Sequence, residues 1–154
     1  MDKKLHLKLP PLALVIVIAS LMYFIDVKSD VGYIEYSFLL YFACLFAFVG
    51  GVIIVLSKIE FDRAKTTVNP MRPENVSQLV NKGFYRFSRN PMYLGFLLML
   101  FAWGMVLGNF LCFFLLPFYI WFITRYQIKP EENVLRTKFG NDYERYYRKV
   151  RRWI

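Results

Sequence analysis

"PMYLGFLLMLFAWGMVLGNFLCFFLLPFYIWFIT", residues 91–124, runs for 34 residues without a charge. A single straight helix of that length would reach about 51 Å, well beyond a hydrocarbon core of about 30 Å. The stretch "WGMVLGN" at 103–109 offers a break. The run therefore divides into two short helices joined near Gly108 and Asn109. Gly104 and Gly108 also fit the GxxxG packing pattern, but a turn there accounts for them equally well and takes the larger share. Each arm is short for a span, so local thinning or an inward-facing polar end has to compensate.

Two further apolar runs precede this one. The first covers about 10–27 and begins "PPLALVIVIASLMYFIDV"; its 18 residues would rise about 27 Å. The second covers about 36–57 without a charge, and its Gly50 and Gly51 allow close helix contact. Lysine and arginine number three before the first span, one in the loop after it, seven between 58 and 90, none at 107–109, and nine from Arg125 onward. With four spans, every rich segment falls on one face; with three, the seven and the nine would oppose each other. The positive-inside rule selects four spans and puts both termini and the 58–90 segment in the cytoplasm. The expected fold is all-α: one polytopic membrane domain over 1–154. It has about four transmembrane helices, the last two a short hairpin, and a cytoplasmic amphipathic C-terminal helix. The host membrane would be a plasma or inner membrane in a prokaryote and endoplasmic reticulum in a eukaryote.

Composition supports this. The chain is 57% hydrophobic and 19% aromatic, with mean hydropathy +0.36, and its charges lie in blocks. Lys3, Lys4 and Lys8 before an apolar run superficially resemble a signal peptide. No small-residue cleavage site follows, and Tyr23, Phe24 and Asp26 close the run, so it reads as a retained span. Cys44 and Cys112 each lie inside apolar runs, and His6 is the only histidine. A disulfide, a metal site and a histidine-based triad are not expected. The net charge of +9 is chiefly a property of the cytoplasmic face, attracting anionic lipid headgroups rather than nucleic acid.

The last block, "KPEENVLRTKFGNDYERYYRKVRRWI", reads as a helix opening at Pro130. Glu131 and Glu132 stand in the first turn, where the helix dipole favours carboxylates. Val134, Leu135, Phe139, Tyr143, Tyr146 and Val150 recur at three- and four-residue spacings, with a break or bend at Gly140. Such a basic, amphipathic segment suits the membrane surface.

Two polar clusters border the hairpin from one side: "NKGFYRFSRNPMY" at 81–93 and "RYQIKPEENVL" at 125–135. Antiparallel packing would set Arg89, Asn90, Tyr85 and Tyr93 against Glu131 and Glu132. Cation, amide, phenols and carboxylates together suit a zwitterionic ligand with an aromatic or sulfonium part. Each also has a plainer explanation. Asn90 and Pro91 can simply start a helix, Arg89 and Tyr93 can anchor it at the interface, Tyr85 can face lipid, and the two glutamates can serve the helix dipole.

The same residues carry a resemblance. "LVNKGFYRFSRNPMYLGF" followed by "EENVLRTKFGNDYERYYRKVRRW" resembles the isoprenylcysteine carboxyl methyltransferase and phospholipid methyltransferase superfamily of integral membrane enzymes. Its pattern is G-x-Y-R-x-x-R-[HN]-P-x-Y-x-G, a helical hairpin, then E-E-x-x-L-x-x-x-F-G-x-x-Y-x-x-Y, over about residues 77–153. The resemblance implies S-adenosyl-L-methionine as methyl donor, at the cytoplasmic side between the hairpin and the C-terminal helix. Gln78, Leu79 and Val80 would line it, Tyr85, Asn90, Pro91 and Tyr93 would continue that wall, and Glu131 would hold a polar group. Arg89 and Glu132 would support the site.

Two positions depart from the prenylcysteine enzymes. Asn90 stands where they usually carry histidine, so no general base is assigned there. Gln127 stands where they place an arginine for the substrate carboxylate, with Arg125 two residues earlier; these two are the candidates for the acceptor side. The expected partners are a lipid-soluble acceptor and membrane lipid, and a homo-oligomer is compatible with the sequence. Two alternatives remain: a non-catalytic membrane module binding anionic lipid, and a small four-helix transferase using a glutathione-type thiol.

Overall fold

The computed structural model describes residues 10–29, 32–33, 37–64 and 77–154. The N-terminal lysines and His6, the acidic loop residues Asp30 and Glu35, the start of the second span at Tyr36, and Asn69, Pro70 and Pro73 lie outside the described residues. The described residues are mostly helical: α1 (Pro11–Lys28), α2 (Phe38–Arg63), α3 (Pro91–Leu107), α4 (Leu115–Ile123) and α5 (Lys129–Lys149). The only bridge of strand type among the described residues joins Tyr33 to Asn109.

Three helical runs are long and apolar enough to cross a membrane: α1, α2 and the 40-residue run Phe110–Lys149. The apolar α3 is shorter than these three; counted with them it brings the apolar helical runs to four, the number of spans expected. Burial is inverted relative to a soluble bundle. Leu14, Ile18 and Met22 of α1 face inward at four-residue spacing, while Leu12, Ile16, Val17, Leu21 and Phe24 are exposed. Apolar residues turned outward at every angle are stable only against lipid. The inward set packs with Tyr93 and Leu100 of α3, Cys112, and Leu116, Tyr119 and Ile123 of α4.

The hairpin turns where expected. α3 ends at Gly108, whose φ of 67° is left-handed, and the Gly108 N–H bonds the carbonyls of Gly104 and Met105. The Asn109 side chain then accepts from Leu111 N–H, opening a 3-10 turn over Phe110–Phe114. A glycine in that conformation followed by a side-chain cap ends one helix and starts the next.

α2 runs past its uncharged stretch, to Arg63, carrying the exposed pairs Lys58–Asp62 (2.8 Å) and Arg63–Glu60 (3.3 Å). It crosses α3 at Gly50 and Gly95. A Cβ on Gly50 would lie 2.8 Å from the Gly95 carbonyl oxygen, and one on Gly95 would lie 2.6 Å from Ile54 Cγ1. Gly51 has nothing within 4 Å, so only Gly50 serves the expected contact.

The return limb does not begin a new helix at Pro130. It continues from α4 through a π-helical turn, Thr124–Ile128, where Lys129 N–H reaches back five residues to Thr124. Pro130 has no N–H to give to the carbonyl four residues earlier, and the wider turn absorbs that loss. The uncharged part of this run ends at Thr124, so the charged limb from Lys129 on, with Glu131 and Glu132, lies beyond it. α5 bends at Gly140, where φ is 49° and ψ is −121°. That conformation belongs to glycine, and a Cβ there would meet no atom within 4 Å, so the constraint is backbone alone. Gly140→Ala is expected to lower stability by about 1 kcal/mol or more, read as a drop in Tm in detergent; an unchanged Tm would remove the bend from the fold's requirements.

Candidate active site at the base of the hairpin

The bend at Gly140 returns the chain to the start of α3, and residues 150–153 lie along 88–90. Arg89 N–H donates to the Arg151 carbonyl at 2.9 Å, and Asn90 Nδ2 and Ser88 Oγ donate to the Arg152 carbonyl at 3.0 and 3.3 Å. Asn90 occupies the N-cap position of α3, yet its side chain makes no cap bond; it is spent on the C-terminal segment instead. Pro91 follows, fully buried, in the first turn.

Glu132 is the hub of the outer layer. Arg89 Nη2 donates to its Oε1 at 2.7 Å, while Arg152 donates through Nε to Oε1 at 3.0 Å and through Nη2 to Oε2 at 2.7 Å. The side chains of Arg89 and Glu132 are only 6% and 9% exposed. Arg89 further donates from Nη1 to the carbonyls of Tyr147 and Val150. Its guanidinium stacks 4.0 Å from the centre of the Tyr147 ring, and Arg136 approaches that ring at 5.0 Å. Burial pushes the Glu132 carboxyl up, but the bonds and charges of Arg152 and Arg89 outweigh it and hold the group below the usual carboxylate range.

Glu131 heads the inner layer. Tyr93 Oη donates to its Oε1 at 2.6 Å and Gln127 Nε2 donates to the same oxygen at 2.9 Å. Oε2 accepts from no side chain among the described residues. Tyr119, from α4, donates to the Tyr93 carbonyl at 3.1 Å and ties the two arms of the hairpin behind the phenol. Burial drives the Glu131 carboxyl up to about 7, with the bonds from Tyr93 and Gln127 opposing it and the Glu132 charge adding to it. The adjacent carboxyls thus differ: Glu132 is ionised at neutrality, and Glu131 titrates there.

The sequence candidates sort accordingly. Tyr93, Glu131 and Gln127 meet directly, and Arg89 and Glu132 meet behind them. Arg89, Tyr93 and Tyr85 are buried, which displaces the interfacial-anchor and lipid-facing explanations. Tyr85 sits in a 3-10 turn, Gly83–Arg86, fixed by the bond from Tyr146 Oη to its carbonyl (2.8 Å) and by the Phe61 ring at 5.3 Å. Val80 is buried, Leu79 packs against the Tyr143–Tyr146–Val150 cluster and Gln78 is exposed. Arg125 is exposed while Gln127 is buried, because two positions apart on a helical turn lie on opposite sides. Arg152, Tyr147 and Ser88 were not singled out from the sequence. Nothing in their local pattern marks them, since the bend at Gly140 makes their contacts.

The family model for phospholipid methyltransferase matches residues 38–142, which take in α2, the hairpin and the two glutamates. The chain belongs to that family. The superfamily resemblance carried by the 81–93 and 131–146 motifs is thereby confirmed. Among curated relatives, a probable protein-S-isoprenylcysteine O-methyltransferase of Oryza sativa subsp. indica is 33% identical over 75% of this chain and 61% of its own length. The protein-S-isoprenylcysteine O-methyltransferase of Schizosaccharomyces pombe is 38% identical over 47% of this chain and 30% of its own. An uncharacterized protein of Haemophilus influenzae is 48% identical over 41% of this chain and the whole of its own. The chain thus spans 61% and 30% of the lengths of these two named methyltransferases. No solved structure matches it.

Proposed function

We propose that the protein is a membrane methyltransferase that takes S-adenosyl-L-methionine as donor and methylates a lipophilic acceptor arriving from the bilayer. The observation that carries this is the Tyr93–Gln127–Glu131 arrangement, in which both side-chain donors found among the described residues converge on Oε1 of one carboxylate. A part-buried carboxylate oriented in this way suits an ammonium or a ribose hydroxyl, and the Tyr93 phenol beside it suits a cationic sulfonium neighbour. The donor would supply an electrophilic methyl group. The protein's own part is positional. Glu131 and Tyr93 hold the polar end, the hairpin excludes water, and the arginine-bridged Glu132 fixes Glu131 one residue away. Gln78, Leu79, Val80, Tyr85, Asn90 and Pro91 would form the donor's wall, in keeping with the resemblance. The family and the names of the relatives favour this reading over a non-catalytic lipid-binding module or a thiol transferase. Gln127 is committed to Glu131, so an acceptor carboxylate would not find a clamp there; Arg125 remains a candidate on the acceptor side.

Detergent-purified protein should bind S-adenosylhomocysteine in calorimetry, with Glu131→Ala weakening it at least about tenfold, the value of one charge-assisted bond. The pH dependence has a definite sign. The folded Glu131 carboxyl titrates near 7, above its unfolded value of 4.5. Its ionisation lowers folded-state stability as pH rises between those values, and a bound cation offsets that loss. Affinity should therefore rise from pH 6 to pH 8 and level off above, and Glu131→Gln should flatten the profile. No binding by wild type, or an unchanged profile in Glu131→Gln, would end the proposal.

A further inference from the structure

A groove of about 710 Å³ lies between the 79–86 segment and the second half of α5. It shares no residue with the Tyr93–Gln127–Glu131 centre and meets the wall proposed for the donor only at Leu79. Arg86 enters from the 3-10 turn, and Arg145 and Lys149, four residues apart, from one face of α5. The one carboxylate lining it among the described residues, Asp142, is paired with Arg145. The apolar side chains of Leu79, Tyr146 and Val150 line it as well. Three cations from two elements, one of them matched by a carboxylate, beside apolar side chains suit a phosphate attached to something apolar.

The groove also lies at headgroup height. The uncharged run of α2 ends at Ser57 and the ring of Phe61, four residues or about 6 Å further along the axis, packs on Tyr85, the residue before Arg86. Phe87, next to Arg86, is 73% exposed, as an aromatic anchor at that depth would be.

We infer that this groove binds the phosphate headgroup of an anionic membrane lipid, as a docking site separate from the centre that would carry methyl transfer. The inference does not rest on the proposed activity. A soluble phosphate would use the same cations, but the headgroup-level position and apolar lining favour a lipid.

The test is native mass spectrometry of the detergent-solubilised full chain with phosphatidylglycerol or phosphatidylcholine added, alongside inorganic phosphate. Wild type should retain phosphatidylglycerol at least about tenfold better than phosphatidylcholine, since each cation near a charged lipid surface contributes a several-fold preference. The exposed double variant Arg86→Gln/Lys149→Gln should lose that preference while melting and binding S-adenosylhomocysteine as wild type does. Glu131→Gln should leave lipid retention untouched, so failure of the methyltransferase proposal and of this one are told apart. Equal retention of the two lipids, or an unchanged preference in the double variant, overturns the inference. So does displacement of the lipid by millimolar inorganic phosphate, which assigns the groove to a soluble anion, or by S-adenosylhomocysteine, which makes it part of the donor site.

Discussion

Glu132→Ala is expected to lower stability by about 3–5 kcal/mol, the cost of breaking a buried ion pair from one side. The number comes from what stays behind. Arg89, with 6% of its side chain exposed, would keep its charge and its bonds to two carbonyls while losing its counter-ion. Arg152 is 30% exposed and can turn to water, so Arg152→Ala should cost less, about 1–2 kcal/mol. The order Glu132→Ala before Arg152→Ala in loss of Tm is what the geometry requires. Equal losses, or a Glu132→Ala protein melting with wild type, would mean that Arg89 finds water the structure does not give it. Acid should act the same way. The folded Glu132 carboxyl lies below its ordinary range, so its contribution is present at neutral pH and lost as pH falls through the folded value.

That carboxylate also shows where sequence reading stops. The all-helical, polytopic architecture was legible because segregated charge and long apolar runs average over many residues and tolerate small errors of boundary. The turn at Gly108 was legible because a glycine followed by an asparagine is locally sufficient to end one helix and cap the next. The meeting of Arg89 with Glu132, 43 residues away, followed from antiparallel packing of the hairpin. Arg152 did not follow. It reaches Glu132, 20 residues earlier in the same segment, only because Gly140 turns α5 and brings residues 150–153 onto 88–90. Periodicity sees Tyr147 as one more aromatic on a basic helix, whereas the structure holds it between Arg89 and Arg136. Pro130 misled in a different way. Proline in a first turn usually announces a new helix, but a π turn lets the old one continue, and that continuity sets Gln127 one turn from Glu131. The inner layer thus depends on a backbone irregularity, and the outer layer on a single left-handed residue.

The second large effect is expected at Gly95, where Leu should cost about 3 kcal/mol, the upper range for overpacking. The first atom of any side chain there would lie 2.6 Å from Ile54 Cγ1 and 2.8 Å from the Gly50 carbonyl oxygen. An isoleucine can change rotamer; a carbonyl of a packed helix cannot, so α2 and α3 must separate. In lipid little apolar driving force remains to press them together again, because the bilayer solvates the exposed faces as well as the partner helix does. The separation would also reach the candidate site. Tyr93 lies two residues earlier on α3, and Phe61, further along α2, packs on Tyr85. Gly95→Leu should therefore lose S-adenosylhomocysteine binding together with Tm. Gly51→Ala is the matched control on the facing helix: nothing lies within 4 Å of its Cβ, and exchanging glycine for alanine inside a helix contributes up to about 1 kcal/mol of stability. Two neighbouring glycines that look equivalent in "FVGGV" are thus expected to differ, Gly50 intolerant and Gly51 indifferent or improved. Equal Tm shifts for Gly50→Ala and Gly51→Ala would show that the helices do not cross at that point.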